Sequence, residues 1–228
     1  MGDRSVYVKR YTGQEKGLSE IDRREVWRYA GYPGGPPASD PVLNAELESV
    51  LDECGSIFRY AVCWLRIPLS AQSGSSELPF DPNAAFLDGC GEAVLMAATV
   101  GLEPDRRIAR YEKTHPVRAL LLQAFATERV EALCDMFCGE FGKDESVTRR
   151  CSPGYGDFPL ERQREMVRIL DTSRQIGVTL NESLLMSPSK SVTAVFGIRA
   201  KDEKQEQRSP ECSGCSSCNL KDCPYREN

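Results

Sequence analysis

The stretch from Pro116 to about Phe141 constrains the rest of the chain most, because it reads as one helix with two apolar sides. At 100° per residue, Leu122, Ala126, Val130, Leu133 and Phe137 fall on one side and Leu121, Phe125, Ala132 and Met136 on another. A helix greasy on two sides has to run through the centre of a fold. Thr114 or His115 stands near its cap, and Pro116 takes the first helical position, where a missing N–H is harmless. Between the two sides lies a narrow strip of Ala124, Thr127, Glu131, Cys134 and Cys138. Glu131 there either reaches the solvent edge or faces a partner, since a buried carboxylate needs one.

The remaining periodicity supplies what such a helix can pack against. Ser19–Ala30 reads as a first helix with Ser19 as its cap, stopped by the prolines and glycines of 31–37. Leu43, Leu47, Val50, Leu51, Cys54 and Phe58 line one face of a second helix that starts near Asp40 and Pro41. Aromatic and β-branched residues from Phe58 to Leu69 predict a strand closed by Pro68, and 71–82 reads as loop. The apolar run Ala93–Val100 suits a strand buried on both faces, or a short helix segment. A helix over Leu160–Gln175 stopped by Gly177, an extended Val178–Leu185, and a half-buried strand over Ser189–Ile198 complete the pattern. Mixed α and β follows from this, without a topology.

Two segments carry the chemistry. Arg149-Arg150-Cys151-Ser152-Pro153-Gly154-Tyr155-Gly156-Asp157-Phe158-Pro159 packs prolines and glycines around one tyrosine, so the backbone turns sharply and another molecule can approach the main chain. By itself such a cluster is more often a plain surface turn. About thirty residues on stands Leu180-Asn181-Glu182-Ser183-Leu184-Leu185-Met186-Ser187-Pro188-Ser189-Lys190-Ser191-Val192. The pair, in this order and spacing, resembles the activation domain of cobalamin-dependent methionine synthase, which carries Arg-x-x-Pro-Gly-Tyr, a short helix, then Leu-Thr-Glu-Ser and Met-x-Pro-x-x-Ser-Val. The resemblance runs from about Leu120 to Ile198, and the layout is similar to the short, freestanding versions of the domain.

That resemblance implies an α+β fold, with helices packed on a twisted, largely antiparallel sheet. It implies S-adenosylmethionine as ligand, held by Arg150, Pro153, Gly154 and Tyr155, with Arg150 near the methionine carboxylate. It also implies a glutamate on the preceding helix for the ligand's ammonium group, Glu131 being the better candidate and Glu128 the other. The activity implied is reductive remethylation of an inactive cobalt(II) cobalamin, in which the protein positions the sulfonium methyl and no side chain acts as base or nucleophile. The cobalamin belongs to a partner. The motif that binds it, Asp-x-His-x-x-Gly, is missing here: the one histidine, His115, has Lys113 and Arg118 where Asp and Gly belong, and it reads as a capping-region residue. An electron donor protein is a further implied partner.

Four of the ten cysteines crowd into the tail as Cys212, Cys215, Cys218 and Cys223 followed by Pro224. The spacing is one residue longer at its last gap than the bacterial ferredoxin run, so an iron–sulfur cluster is the first expectation and zinc the second. The expected organisation is 1–199 activation-like domain, 200–211 polar linker and 212–228 four-cysteine metal-binding tail. A net charge of -5 argues against nucleic acid. Apolar runs shorter than the ~20 residues of a span argue against a membrane, and a cytoplasmic protein is expected. A different class stays open: a non-catalytic iron–sulfur or zinc redox protein or adaptor that kept the fold but lost the ligand. The family's late ligand-contacting tyrosine has no aromatic counterpart in 199–210, which favours that alternative.

Overall fold

Strands rich in small and β-branched residues form the sheet around which the helices are layered. The computed structural model describes residues 5–33, 35, 40–69 and 78–199. The expected linker 200–211, the four-cysteine tail and most of the 71–82 loop lie outside these residues. The sheet contains β1 (Tyr7–Tyr11), β2 (Tyr60–Pro68), β3 (Cys90–Thr99), β4 (Ser146–Val147) and β7 (Ser191–Arg199), in the order β1-β2-β3-β7-β4 with every neighbouring pair antiparallel. A separate two-stranded hairpin joins β5 (Thr179–Leu180) to β6 (Met186–Ser187).

Alternation along the strands gives the sheet two apolar faces. Val62, Val94, Met96, Ala194 and Phe196 face a layer of α1 (Arg23–Tyr29), α2 (Pro41–Cys54), α3 (Glu103–Thr114) and α4 (Pro116–Phe141). Cys63, Leu65, Leu95, Ala97 and Val195 face α5 (Gln163–Leu170) and α6 (Thr172–Ile176). The α+β antiparallel architecture is as expected. So is α4, whose Leu121, Leu122, Phe125, Val130, Leu133 and Phe137 are all buried in the core it shares with the sheet.

Several expectations need correction. The first helix begins at Arg23 rather than behind Ser19, because Asp22 is the better cap: its carboxylate accepts from the N–H of Arg24 at 2.9 Å and of Glu25 at 3.1 Å. Ser19 instead closes a turn onto Glu15. Strand β7 is buried on both faces, not half-buried, because its small and polar residues lie beneath the α5–α6 layer, where Thr193 is 2% exposed. Farther along the same face Gly197 packs against the start of β3 and the turn before it instead: a Cβ there would come within 2.4 Å of the Cys90 sulfur and 3.1 Å of Leu87. The helix expected over Leu160–Gln175 is broken at Asp171, which takes a left-handed φ of 45° and separates α5 from α6. Only Thr179–Leu180 of the extended Val178–Leu185 is strand; Leu184, at φ 63°, turns the chain back into β6.

Strand β1 and helix α3 had no sequence signal. Strand β1 is largely exposed, and α3 buries little beyond Pro104, Ile108 and Tyr111. The turn that leads into α1 is tied to α4 by a buried pair: Arg129 donates to the carbonyls of Leu18 at 2.6 Å and Glu20 at 2.7 Å, and Glu128 beside it accepts from the N–H of Asp22 at 3.1 Å. His115 sits between α3 and α4 as the residue before Pro116, edge-on to Tyr111.

Candidate functional site

The chain after β4 stays extended along β7 and is fixed there by main-chain bonds. Thr148 donates to Gly197 at 2.9 Å, and Cys151 and Val195 exchange bonds of 2.7 and 2.8 Å. Adjacent residues of an extended segment point to opposite sides. Cys151 therefore joins the core under α5, and Arg150 turns to the α4 side. There the Arg150 guanidinium donates to Glu131 Oε2 at 2.5 Å and to Asp135 Oδ1. Burial works against the charge of Arg150, but the Asp135 and Glu131 carboxylates bonded to it outweigh that and hold its proton more firmly than usual.

The turn that follows is shaped by the next residues of the motif. Pro153 is buried, and Gly154, at φ 93°, donates its N–H to the Phe158 carbonyl at 2.7 Å. A Cβ on Gly154 would meet nothing closer than 3.5 Å, so the left-handed backbone rather than lack of space calls for glycine. Phe158 anchors the far end of the turn in the α5-side core, and Tyr155 at its tip is 69% exposed. Of the motif residues, the fold thus brings Arg150 and Glu131 together. Among the described residues, Pro153, Gly154 and Tyr155 form no hydrogen bond or ion pair with either.

The second segment arrives at the same helix from the other side. Ser189 donates its N–H and hydroxyl to Asp105 of α3 at 2.7 and 2.8 Å, Val100 donates to the Lys190 carbonyl at 3.2 Å, and Ser191 donates to Thr99 Oγ1 at 2.9 Å. Held in this way, Lys190 stretches over to α4 and donates to Thr127 Oγ1 at 2.9 Å. Thr127, Glu131 and Asp135 lie four residues apart, about 6 Å per step along one stripe of the helix. Lys190 sits on the first position and Arg150 on the other two. Sequence reasoning missed Lys190, although it is the one cation between Thr179 and Ile198. Tyr29 of α1 also lies close: burial and the charge of Glu131 push its hydroxyl up to about 12.

Other groups near the stripe are committed elsewhere or chemically quiet. Glu128, the alternative to Glu131, is 4% exposed and bound to Arg129 and Asp22. Burial pushes the Cys138 thiol up to about 11 and Cys134 well above its usual value, so neither is a ready thiolate at neutral pH. A hollow of about 790 Å³ opens elsewhere, lined by Trp64, Phe137, Phe141 and Arg199. Two of its cations already face carboxylates, Lys9 to Glu140 at 2.8 Å and Arg66 to Glu145 at 2.9 Å, and it shares no residue with the stripe.

Residues 88–205, more than half the chain, match the family described as the vitamin B12-dependent methionine synthase activation domain. The chain belongs to this family. The match starts upstream of the recognised segments, at the turn before β3, and so takes in most of the sheet together with α3 and α4. A solved structure titled as the MetH reactivation domain bound to AdoHcy shares the fold of this activation-domain protein, with a TM-score of 0.61 at 15% identity. The similarity covers 89% of this chain and 81% of that one. No curated protein matches the chain by sequence. Among the described residues, no group of three or more His, Cys, Asp or Glu is placed to hold a metal ion, and no helix is long and apolar enough to cross a membrane. Cys212, Cys215, Cys218 and Cys223 lie outside the described residues.

Proposed function

We propose that this chain binds S-adenosylmethionine along the Thr127–Asp135 stripe of α4 and presents its sulfonium methyl to a cobalt corrinoid carried by a partner protein. The single observation that carries this reading is the contact of Arg150 with Glu131 at 2.5 Å. An amino-acid head is a zwitterion and needs one carboxylate and one forked cation side by side. Such a ligand exchanges pair for pair: its ammonium goes to Glu131 and its carboxylate to Arg150, and no charge is left stranded. Family membership and the AdoHcy bound in the structural neighbour favour the same ligand class. Pro153, Gly154 and Tyr155 then form the rim, with the exposed tyrosine ring and the open glycine backbone free to meet the adenosyl part.

S-adenosylmethionine supplies a methyl cation, which together with one electron from an outside donor converts a partner's cobalt(II) corrinoid to the methylated form and leaves the thioether S-adenosylhomocysteine. The chain's own residues bind and orient; none is asked to move a proton. Calorimetric titration of the full chain is expected to show saturable one-to-one binding of S-adenosylmethionine and of S-adenosylhomocysteine. A folded protein that takes up neither would overturn this reading in favour of an adaptor or redox protein without the site.

The proposal keeps 1–199 as the ligand-binding unit, 200–211 as a linker and 212–228 as a tail in which Cys212, Cys215, Cys218 and Cys223 hold an iron–sulfur cluster that relays the electron. Anaerobically purified protein is expected to contain iron and acid-labile sulfide. A colourless protein with stoichiometric zinc ends the relay idea.

A further inference from the structure

The geometry points to Lys190 as a second cation for the ligand's carboxylate, sharing it with Arg150 across the Glu131 position. This rests on the proposed binding of S-adenosylmethionine and adds a residue to it. Lys190 is only partly exposed, and its ammonium makes one hydrogen bond, to Thr127 Oγ1 at 2.9 Å. An ammonium has three N–H donors, so two remain to be used. Among the described residues no carboxylate lies within ion-pair distance of it; the nearest acid in electrostatic terms, Asp105, has both oxygens engaged by Ser189. Burial accordingly loosens the proton on Lys190, with Asp105 only partly opposing it. A half-buried cation held in place by a hydroxyl, with donors to spare, is a ready seat for an anion.

The position of this seat selects the anion. Lys190 stands one helical turn from Glu131, on the side away from Asp135, so the guanidinium and the ammonium flank the carboxylate that would take the ligand's ammonium. In that frame the ligand's own carboxylate lies next to Glu131, within reach of both cations. Arg150 already spends its fork on Glu131 and Asp135, whereas Lys190 has no acid to give up. Lys190 therefore reads the α-carboxylate, and a ligand without one gains nothing from it.

The test uses the full chain, titrated with S-adenosylmethionine and with decarboxylated S-adenosylmethionine. Lys190→Met is expected to weaken S-adenosylmethionine about 10- to 100-fold, the range for a charge-assisted hydrogen bond, and to leave the decarboxylated ligand unchanged. Thr127→Val keeps the charge but removes its tether. It is expected to cost about 2- to 10-fold on the carboxylate-bearing ligand alone, and it carries the test if Lys190→Met does not fold. Equal losses for both ligands, or no loss for either, overturn the assignment and make Lys190 a brace between β7 and α4. Failure of the unaltered protein to bind S-adenosylmethionine overturns the proposed function, and this inference with it.

Discussion

Arg129→Met is expected to destabilise the fold by about 3–5 kcal/mol, the cost of leaving half of a buried ion pair behind. Arg129 is 2% exposed and Glu128 4%. The guanidinium donates to Glu128 Oε2 at 2.5 Å, to the Leu18 carbonyl at 2.6 Å and to the Glu20 carbonyl at 2.7 Å. Methionine fills much of the same volume but donates nothing, so two carbonyls lose their side-chain donor and the Glu128 carboxylate loses its cation and keeps only the Asp22 N–H, in a site largely closed to water. Against a total stability of about 5–15 kcal/mol for a domain, such a loss is large. Urea unfolding reads it as a drop in midpoint at similar slope. The double variant Glu128→Gln with Arg129→Met should recover part of the loss, because the stranded charge goes with its partner. A single variant within about 1 kcal/mol of the unaltered protein would mean that the pair adds nothing to the grip of α4 on the turn before α1. The consequence reaches the site, since α1 carries Tyr29 to the neighbourhood of Glu131.

Much of this arrangement could be read from residue order, and the boundary of what could be read has a physical cause. The central helix was legible to its ends because two apolar faces and Pro116 leave few alternatives, and β2 and β3 were legible because aromatic, β-branched and small apolar residues fill them, broken by a charge only at Arg66 and Glu92. The helix α3 was not, since only its Pro104, Ile108 and Tyr111 are buried and the rest of its turns meet water. The second covered face of β7 escaped notice because Ser191, Thr193 and Gly197 look like solvent positions, although all three strand positions are covered in the fold, Gly197 by Cys90 and Leu87. In the site, Arg150 and Glu131 could each be nominated, but not their meeting. That depends on the register of 148–151 against β7: one residue of slip would send Arg150 under α5 and Cys151 toward α4. Lys190 was missed for a related reason, because nothing in its own segment announces that the side chain reaches Thr127, 63 residues earlier in the chain.

Arg150→Ala is expected to lower the affinity for S-adenosylmethionine by about 100-fold or more, with little loss of stability. The two effects separate because the partners of Arg150 differ in exposure: Asp135 is 69% exposed at its side chain and Glu131 37%, so water can solvate both once the guanidinium is gone. The new repulsion between two acids four residues apart on a helix amounts to only a few tenths of a kcal/mol. Binding suffers more. A forked cation gives a carboxylate two parallel charge-assisted bonds, and each such bond is worth about 1.5–3 kcal/mol. Lysine at this position keeps the charge without the fork, so Arg150→Lys should fall between the two. Glu131→Gln should weaken the complex by a comparable route, through the ligand's ammonium. The informative quantity is the ratio of dissociation constants set beside the melting temperature of the same variant. A protein that melts as before yet binds 100-fold more weakly places the guanidinium on the ligand. One that binds as before with a lowered melting temperature makes Arg150 a clamp between the extended 148–151 segment and α4, with the ligand, if any, seated elsewhere.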